Sequence, residues 1–286
     1  VTLKCQGCGA EVVVNTDTEM AARCHWCRQT LSVNSQIPNG SVPDGVVPFL
    51  IGKEQAVKNI GDFVAKRRGF ADRNFIGQFR PENVMAVYMP FATADINSWA
   101  YLDGTGGIVT GRHTSNKTTT YHIDEYRLHR EFALRVDDLF VESSRERADQ
   151  NIATNTNNVI NAILPFDAKR AVRYDAAYLR GCTSERRTLN IPEMQRVLAE
   201  RMENTAAAKG WDDTRPFDAG VRWDKATIDV RGVRWLALLV PVWLYSYQDP
   251  RTRMIHYIAV NGQNGTTMGS VPIAKGRLAA VSGAIW

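Results

Sequence analysis

Two Cys-x-x-Cys pairs near the start of the chain constrain its fold more than any other feature. Cys5 and Cys8 form the first pair, and Cys24 and Cys27 form the second pair. Each pair presents two sulfur atoms from one tight turn, and four thiolates in a tetrahedron form a closed, structural ligand set for Zn²⁺. A ribbon of about 30 residues buries too little apolar surface to fold unaided, so bound metal would supply its folding free energy. We therefore predict one structural Zn²⁺ held by these four cysteines.

The sequence between the pairs, "EVVVNTDTEMAARC" (residues 11–24), predicts a strand, a polar turn and a returning strand. Gly9 follows the first pair and permits a positive φ, whereas Arg28 stands at the matching place after the second pair. A redox role is disfavoured because redox Cys-x-x-Cys motifs place a low-pKa thiol at a helix start. His25 is predicted to be a surface residue, since four cysteines already complete a tetrahedral site.

Cysteine usage also indicates the compartment. The chain has five cysteines, and Cys182 stands apart from the four near the start, which is typical of a reducing compartment rather than of a disulfide framework. The sequence thus predicts a cytoplasmic location. It contains no apolar run of about 18 residues that would span a bilayer. The apolar stretch at residues 278–286 leaves open a membrane segment beyond Trp286, which would anchor the protein on the cytoplasmic side.

Charge is distributed unevenly. Residues 1–45 hold three cations and four anions, whereas residues 53–80 hold seven cations and three anions. Because phosphate affinity comes mainly from Lys and Arg, the ribbon alone is a poor candidate for nucleic-acid binding. The basic segment contains Lys66, Arg67 and Arg68 in the predicted last turn of a helix, and these are candidate contacts for an acidic partner or lipid headgroups.

The remaining pattern predicts an α+β fold. We assign residues 1–36 to the zinc ribbon, 37–47 to a Pro- and Gly-containing linker, and 48–160 and 161–286 to two α+β units. The two units contain similar segments, "VVPFLIGKEQAV" in the first and "ILPFDAKRAV" in the second. This similarity favours a duplicated antiparallel-sheet-plus-helix domain, and chance similarity is the alternative.

Periodicity locates the elements within these units. A first helix should bury Ala56, Ile60, Phe63 and Val64, and a second should begin near Pro192 and end at Gly210. Strands are predicted at residues 83–102, 126–136, 227–249 and 254–261, with a hairpin turn at "QDPRTR". Pro241 should lie at an edge or bulge because it has no N–H to donate.

No catalytic constellation is apparent in the sequence. "GGIVTG" at residues 106–111 is followed by Arg112 and His113 instead of the Lys and Ser or Thr of a P-loop. We therefore interpret Asp103, Gly104 and Gly107 as a turn. The histidines and Cys182 stand without the base and orienting groups that catalysis requires. We predict that the protein is not an enzyme.

Several segments together resemble a known family. They are "CQGCG" with "CHWCRQTLSVNSQIPNG", "VVPF", "ENVMAVYMPFATADIN", "PFDAKRAVRYDAAYLRG", and "PVWLYSYQD" with "YIAVNGQNGTTMGSVP". The chain resembles bacterial TFIIB-type zinc-ribbon proteins, which are metal-binding, have no assigned catalytic activity and often carry C-terminal apolar segments. Some occur beside phage-shock and flotillin-like proteins. The resemblance places the zinc ligands at Cys5, Cys8, Cys24 and Cys27.

These observations predict a non-enzymatic zinc-binding adaptor or scaffold, recruited or anchored to the cytoplasmic face of a membrane in a protein assembly. Protein partners are expected, and no small-molecule substrate is inferred. The alternative is a nucleic-acid or transcription accessory protein that uses the ribbon and the basic segment.

Overall fold

The computed structural model describes residues 1–15, 22–31, 36–37, 42–115, 118–144, 156–212, 214–252 and 254–274. The strands in these ranges are β1 (Thr2–Lys4), β2 (Glu11–Val13), β3 (Gln36–Ile37), β4 (Gly45–Val46), β5 (Met85–Ser115), β6 (Thr118–Glu142), β7 (Val172–Arg173), β8 (Thr183–Glu185), β9 (Gly220–Gln248), β10 (Ile255–Asn261) and β11 (Thr267–Gly269). The α-helices are α1 (Lys53–Ala65), α2 (Arg73–Gly77) and α3 (Ile191–Lys209). Short 3₁₀ helices cover Pro81–Asn83, Thr156–Ile163, Ala168–Arg170 and Ala176–Leu179.

The fold combines a large sheet with few helices, which confirms the predicted mixed character of the chain. The sheet is not purely antiparallel, however. Strand β4 runs parallel to β9, and β5 runs parallel to β8, whereas β1–β2, β2–β8 and β9–β10 are antiparallel. The parallel pairs join strands distant in sequence, and strand periodicity alone carries no signal for such pairing. Duplication of the two α+β units stays a prediction.

The chain divides into two compact units that combine distant segments. Unit 1 comprises residues 1–93, 142–189 and 236–286, and unit 2 comprises residues 94–141 and 190–235. The unit boundaries fall inside β5, β6 and β9 and just before α3, so these segments differ from the predicted domains. Within the predicted linker, Ile37 belongs to β3, and Gly45–Val46 form β4, which pairs with both β7 and β9.

Helix α1 confirms its predicted apolar face. Ala56, Ile60, Phe63 and Val64 are buried, and they pack into one cluster with residues of β9 and β10 such as Tyr245 and Ile258. This burial places the helix on the sheet of unit 1, because an amphipathic helix is stabilised mainly by covering its apolar stripe.

The basic residues after α1 lie differently from the prediction. The helix ends at Ala65, so Lys66, Arg67 and Arg68 follow it instead of forming its last turn. The N–H groups of Arg67 and Arg68 donate to the carbonyls of Val64 and Ala65, each three residues earlier in the chain. These are the hydrogen bonds of a 3₁₀ turn, which is tighter than the preceding α-helix.

The β9–β10 hairpin is also as predicted. Its register pairs Gln248 with Ile255 and Val242 with Asn261. Strand β9 pairs with β4 at Leu238 and Leu239 and with β10 from Val242 onward. Pro241 lies at this change of partner, where its missing N–H interrupts neither ladder.

The described residues of unit 2 include segments of β5, β6 and β9, and α3. Strand β5 pairs with β6 and β9, and its first residues, in unit 1, pair with β8. In β6, the even-numbered residues 128 to 136 are more buried than the odd-numbered ones between them, whereas Tyr126 at the start of the predicted strand is 46% exposed. Arg130, the polar exception on that face, donates to the backbone carbonyls of Gly210 and Asp212.

Helix α3 begins and ends close to the predicted residues. Asn190 and Glu193 form a reciprocal capping box at its start, and Gly210 caps its end. Met194, Leu198, Met202 and Ala206 are its buried stripe. Among the described residues, no helix is long and apolar enough to cross a membrane; residues 278–286 lie outside the described ranges.

The predicted turn at Asp103, Gly104 and Gly107 is wrong, because all three residues are within β5. The glycines serve close packing instead. A Cβ on Gly104 would overlap the carbonyl of Arg222 in β9, and a Cβ on Gly107 would lie 2.8 Å from Ile123 Cγ2. Glycine inside a strand is typical of such close backbone approach.

Gly104→Ala should therefore destabilise the protein by about 1–3 kcal/mol through overpacking against the backbone of β9. Gly232→Ala is the matched control, because Gly232 is also a strand glycine and a Cβ there would have no neighbour within 4 Å. Urea denaturation would measure both variants. Equal stability of the two would contradict the packing role of Gly104.

Candidate metal centre

The four cysteines near the start of the chain come together at one point of unit 1. Their sulfur atoms all lie within 4.8 Å of one another. Cys5 Sγ is 3.4 Å from Cys27 Sγ, and Cys8 Sγ is 3.6 Å from Cys24 Sγ, so each close contact joins the two pairs. Zn–S bonds of about 2.3 Å in a tetrahedron imply sulfur separations of about 3.8 Å. The donor set and its spacing therefore fit a tetrahedral thiolate-bound metal ion.

The two knuckles, residues 5–10 and 24–29, share one backbone design. In the first, the N–H of Gly9 bonds the Cys5 carbonyl at 2.9 Å; in the second, the N–H of Arg28 bonds the Cys24 carbonyl at 2.7 Å. Gly9 has φ 78° and Arg28 has φ 64°. The two positions thus share the left-handed conformation, which Gly adopts freely and Arg adopts at a cost of about 1–2 kcal/mol.

The first knuckle is the tip of the β1–β2 hairpin, in which Lys4 pairs with Glu11. Val12 of β2 is fully buried and pairs with Leu3 on one side and with Glu185 of β8 on the other. Both edges of β2 are therefore occupied. The prediction that β2 pairs with a strand returning toward Cys24 is wrong, and the polar turn of that prediction lies at residues 16–21, outside the described ranges.

The second knuckle packs on the sheet of unit 1 through the residues inside and beside it. His25 is 1% exposed, so its prediction as a surface residue is wrong. Its Nδ1 is 3.2 Å from Thr183 Oγ1, and its Nε2 is 3.9 Å from Glu185 Oε2, which places β8 directly beneath it. Glu185 is buried as well and accepts a 2.6 Å hydrogen bond from Ser144.

Trp26 and Arg28 extend this packing to two more strands. The Trp26 ring is 5% exposed and meets the Tyr257 ring of β10 edge-on at 5.0 Å. Arg28 donates from Nε to Ser246 Oγ at 3.0 Å, and its guanidinium lies 4.9 Å from the Tyr245 ring centroid in β9. The second knuckle is therefore fixed to β8, β9 and β10 by side chains that are not metal ligands.

The electrostatic environment differs among the sulfur atoms. The hydrogen bond from Cys24 lowers the pKa of Cys8 to about 5, whereas this pairing and burial raise the pKa of Cys24. Burial raises the pKa of Cys27 to about 12. Cys8 is exposed while Cys5 and Cys24 are buried, so the cluster has one ligand at the surface and two in the interior.

The other predicted contact residues lie away from the cysteines in the chain. Lys66 and Arg68 are exposed after the end of α1. Arg67 is half-buried, because its guanidinium lies 3.5 Å from the Phe63 ring centroid and donates to the Phe63 carbonyl. Cys182 is half-buried.

Sequence reasoning missed the residues that support the second knuckle. Thr183, Ser246 and Tyr257 are more than 150 residues from Cys24 in the chain, and nothing local marks them. A signal did exist within the knuckle itself: His and Trp occupy the two positions between Cys24 and Cys27. An aromatic pair at the tip of a tight turn indicates burial against another surface.

Comparison with known proteins gives one distant relative. The chain is 24% identical over 240 residues to "Uncharacterized protein YdjG" of Bacillus subtilis (strain 168), and the alignment covers 83% of this chain and 66% of that protein. The chain thus spans just under two thirds of the relative's length. No protein-family profile and no solved structure matches the chain. The resemblance to TFIIB-type zinc-ribbon proteins stays a prediction.

Replacing Trp26 tests the support of the knuckle without removing a ligand. Trp26→Ala should destabilise the protein by about 3–5 kcal/mol, since it empties a buried aromatic site against Tyr257. Trp211→Ala is the control, because Trp211 is 51% exposed. Thermal and urea denaturation would measure both. A small effect at Trp26, equal to that at Trp211, would contradict the packing described above.

Proposed function

We propose that Cys5, Cys8, Cys24 and Cys27 bind one Zn²⁺ with a structural role. The single observation that carries this proposal is the approach of four sulfur atoms from two matched knuckles to within 4.8 Å of one another. Four thiolates complete a tetrahedral zinc shell, and a shell closed by protein ligands has no position for a reacting water molecule.

The zinc would act on the stability of unit 1 as a whole. Metal binding is coupled to folding wherever the ligands are brought together only in the folded state. Here the second knuckle contacts β8, β9 and β10, so the metal would hold the N-terminal strands and the central sheet of unit 1 in one cooperative structure.

Protein purified without added metal should contain about one zinc per chain. Cys24→Ser should lose the zinc and destabilise unit 1, including β8 to β10, because a buried ligand of the cluster is removed. Cys182→Ser, which alters the fifth cysteine, should keep full zinc content. Elemental analysis and hydrogen exchange would measure these outcomes. Four free thiols without metal in the native protein would overturn the assignment.

We further propose that the protein is a non-enzymatic adaptor or scaffold, recruited or anchored to the cytoplasmic face of a membrane. The structural character of the proposed zinc supports a binding role. The exposed cations Lys66 and Arg68 beyond α1 support recruitment by an acidic partner or lipid headgroups, because basic surface groups attract anionic surfaces over a Debye length.

Fractionation of the full-length native protein tests this role. We expect it to sediment with membranes or in an assembly, and the double charge reversal Lys66→Glu with Arg68→Glu should reduce that association. Arg173→Glu, at another exposed cation in β7, is the control. A wholly soluble monomer without co-purifying proteins would contradict the adaptor role.

A further inference from the structure

The fold leaves one hydrogen-bond donor of Arg28 unused. Its Nε is bonded to Ser246, but its Nη2 atom is buried and has no hydrogen-bond partner among the described residues. A buried polar atom without a partner costs about 1–3 kcal/mol, and more when the group is charged. The guanidinium is held in a fixed orientation with donor capacity left over.

Two cavities flank this side chain in unit 1. One has a volume of about 480 Å³ and the other of about 270 Å³, and both are lined by Arg28 and Asn83. The smaller is also lined by Tyr245, whose buried hydroxyl likewise has no partner among the described residues. Thr183 of β8 lines the larger cavity. Two residues with a buried donor that has no partner among the described residues therefore border these cavities: Arg28 lines both, and Tyr245 lines the smaller.

The charges around the larger cavity favour an anion. Three cations line it, Arg23, Arg28 and Lys53, against the one carboxylate of Glu82. Like charges gathered around a cavity repel each other until an anion enters, and an arginine fork matches the oxygen atoms of phosphate and carboxylate groups.

We propose that this cavity beside the second knuckle is a binding site for a phosphomonoester, with Arg28 as its central ligand. Arg23 and Lys53 would balance the dianion, and Asn83 would supply an amide donor. The cavity volume accommodates a small molecule that carries such a group. A free metabolite and a phosphatidic acid headgroup share this chemistry.

The test uses the metal-loaded full chain and glycerol phosphate as the probe, measured by calorimetry at low ionic strength. Arg28→Gly is the decisive variant, because Gly adopts φ 64° without strain, so the knuckle keeps its backbone and its metal. This variant should bind at least about tenfold more weakly, as expected when a hydrogen bond to a charged group is lost. Arg173→Ala removes one exposed cation elsewhere in unit 1 and should change affinity less than about twofold.

Flotation with phosphatidylcholine vesicles, with and without phosphatidic acid, separates the two sources of ligand. Binding of glycerol phosphate alone identifies a free ligand, and Arg28-dependent binding to phosphatidic acid vesicles identifies a headgroup; both outcomes support the site. The proposal is overturned if neither probe binds, or if Arg28→Gly binds as tightly as the native protein while zinc analysis shows its metal unchanged.

Discussion

The packing of the second knuckle against three strands of unit 1 is the interaction on which the rest of the structure depends. A Cys-x-x-Cys turn by itself fixes only the two sulfur atoms. Here His25, Trp26 and Arg28 contact β8, β10 and β9 in turn, and β9 and β10 also carry the core beneath α1. The position of the sulfur cluster is therefore set by the sheet, and the sheet is covered in return by the knuckle.

This arrangement alters how metal binding and stability are related. An independent ribbon would gain and lose its metal without consequence for the domain that follows. In this protein, β2 pairs with β8. Arg186, which follows β8, donates a 2.9 Å hydrogen bond to the carboxylate of Glu11 in β2. The free energy of metal binding would thus be shared with unit 1 by linkage, because the metal binds the folded state and the ligands separate on unfolding.

Local patterns in the sequence predict the parts of this structure that local interactions determine. The cysteine spacing, the buried stripe of α1 and the approximate start and end of α3 each depend on residues close together in the chain. Partner strands far apart in sequence are different, because β2 with β8 and β4 with β9 leave no periodic signal. The predictions for His25 and Gly104 are wrong for that reason: the environment of each is set by a strand more than 100 residues away.

The contacts that hold Arg28 in the second knuckle leave part of its side chain without a hydrogen bond. Its left-handed backbone costs about 1–2 kcal/mol relative to Gly. The hydrogen bond to Ser246 and the cation–π contact with Tyr245 contribute about 0.5–2 kcal/mol each, which offsets that strain. They leave the buried Nη2 without a partner, however, and this desolvation cost would be absent from a glycine. An acceptor that reached Nη2 would remove the cost, so the energetics of the knuckle and the proposed anion site involve the same side chain.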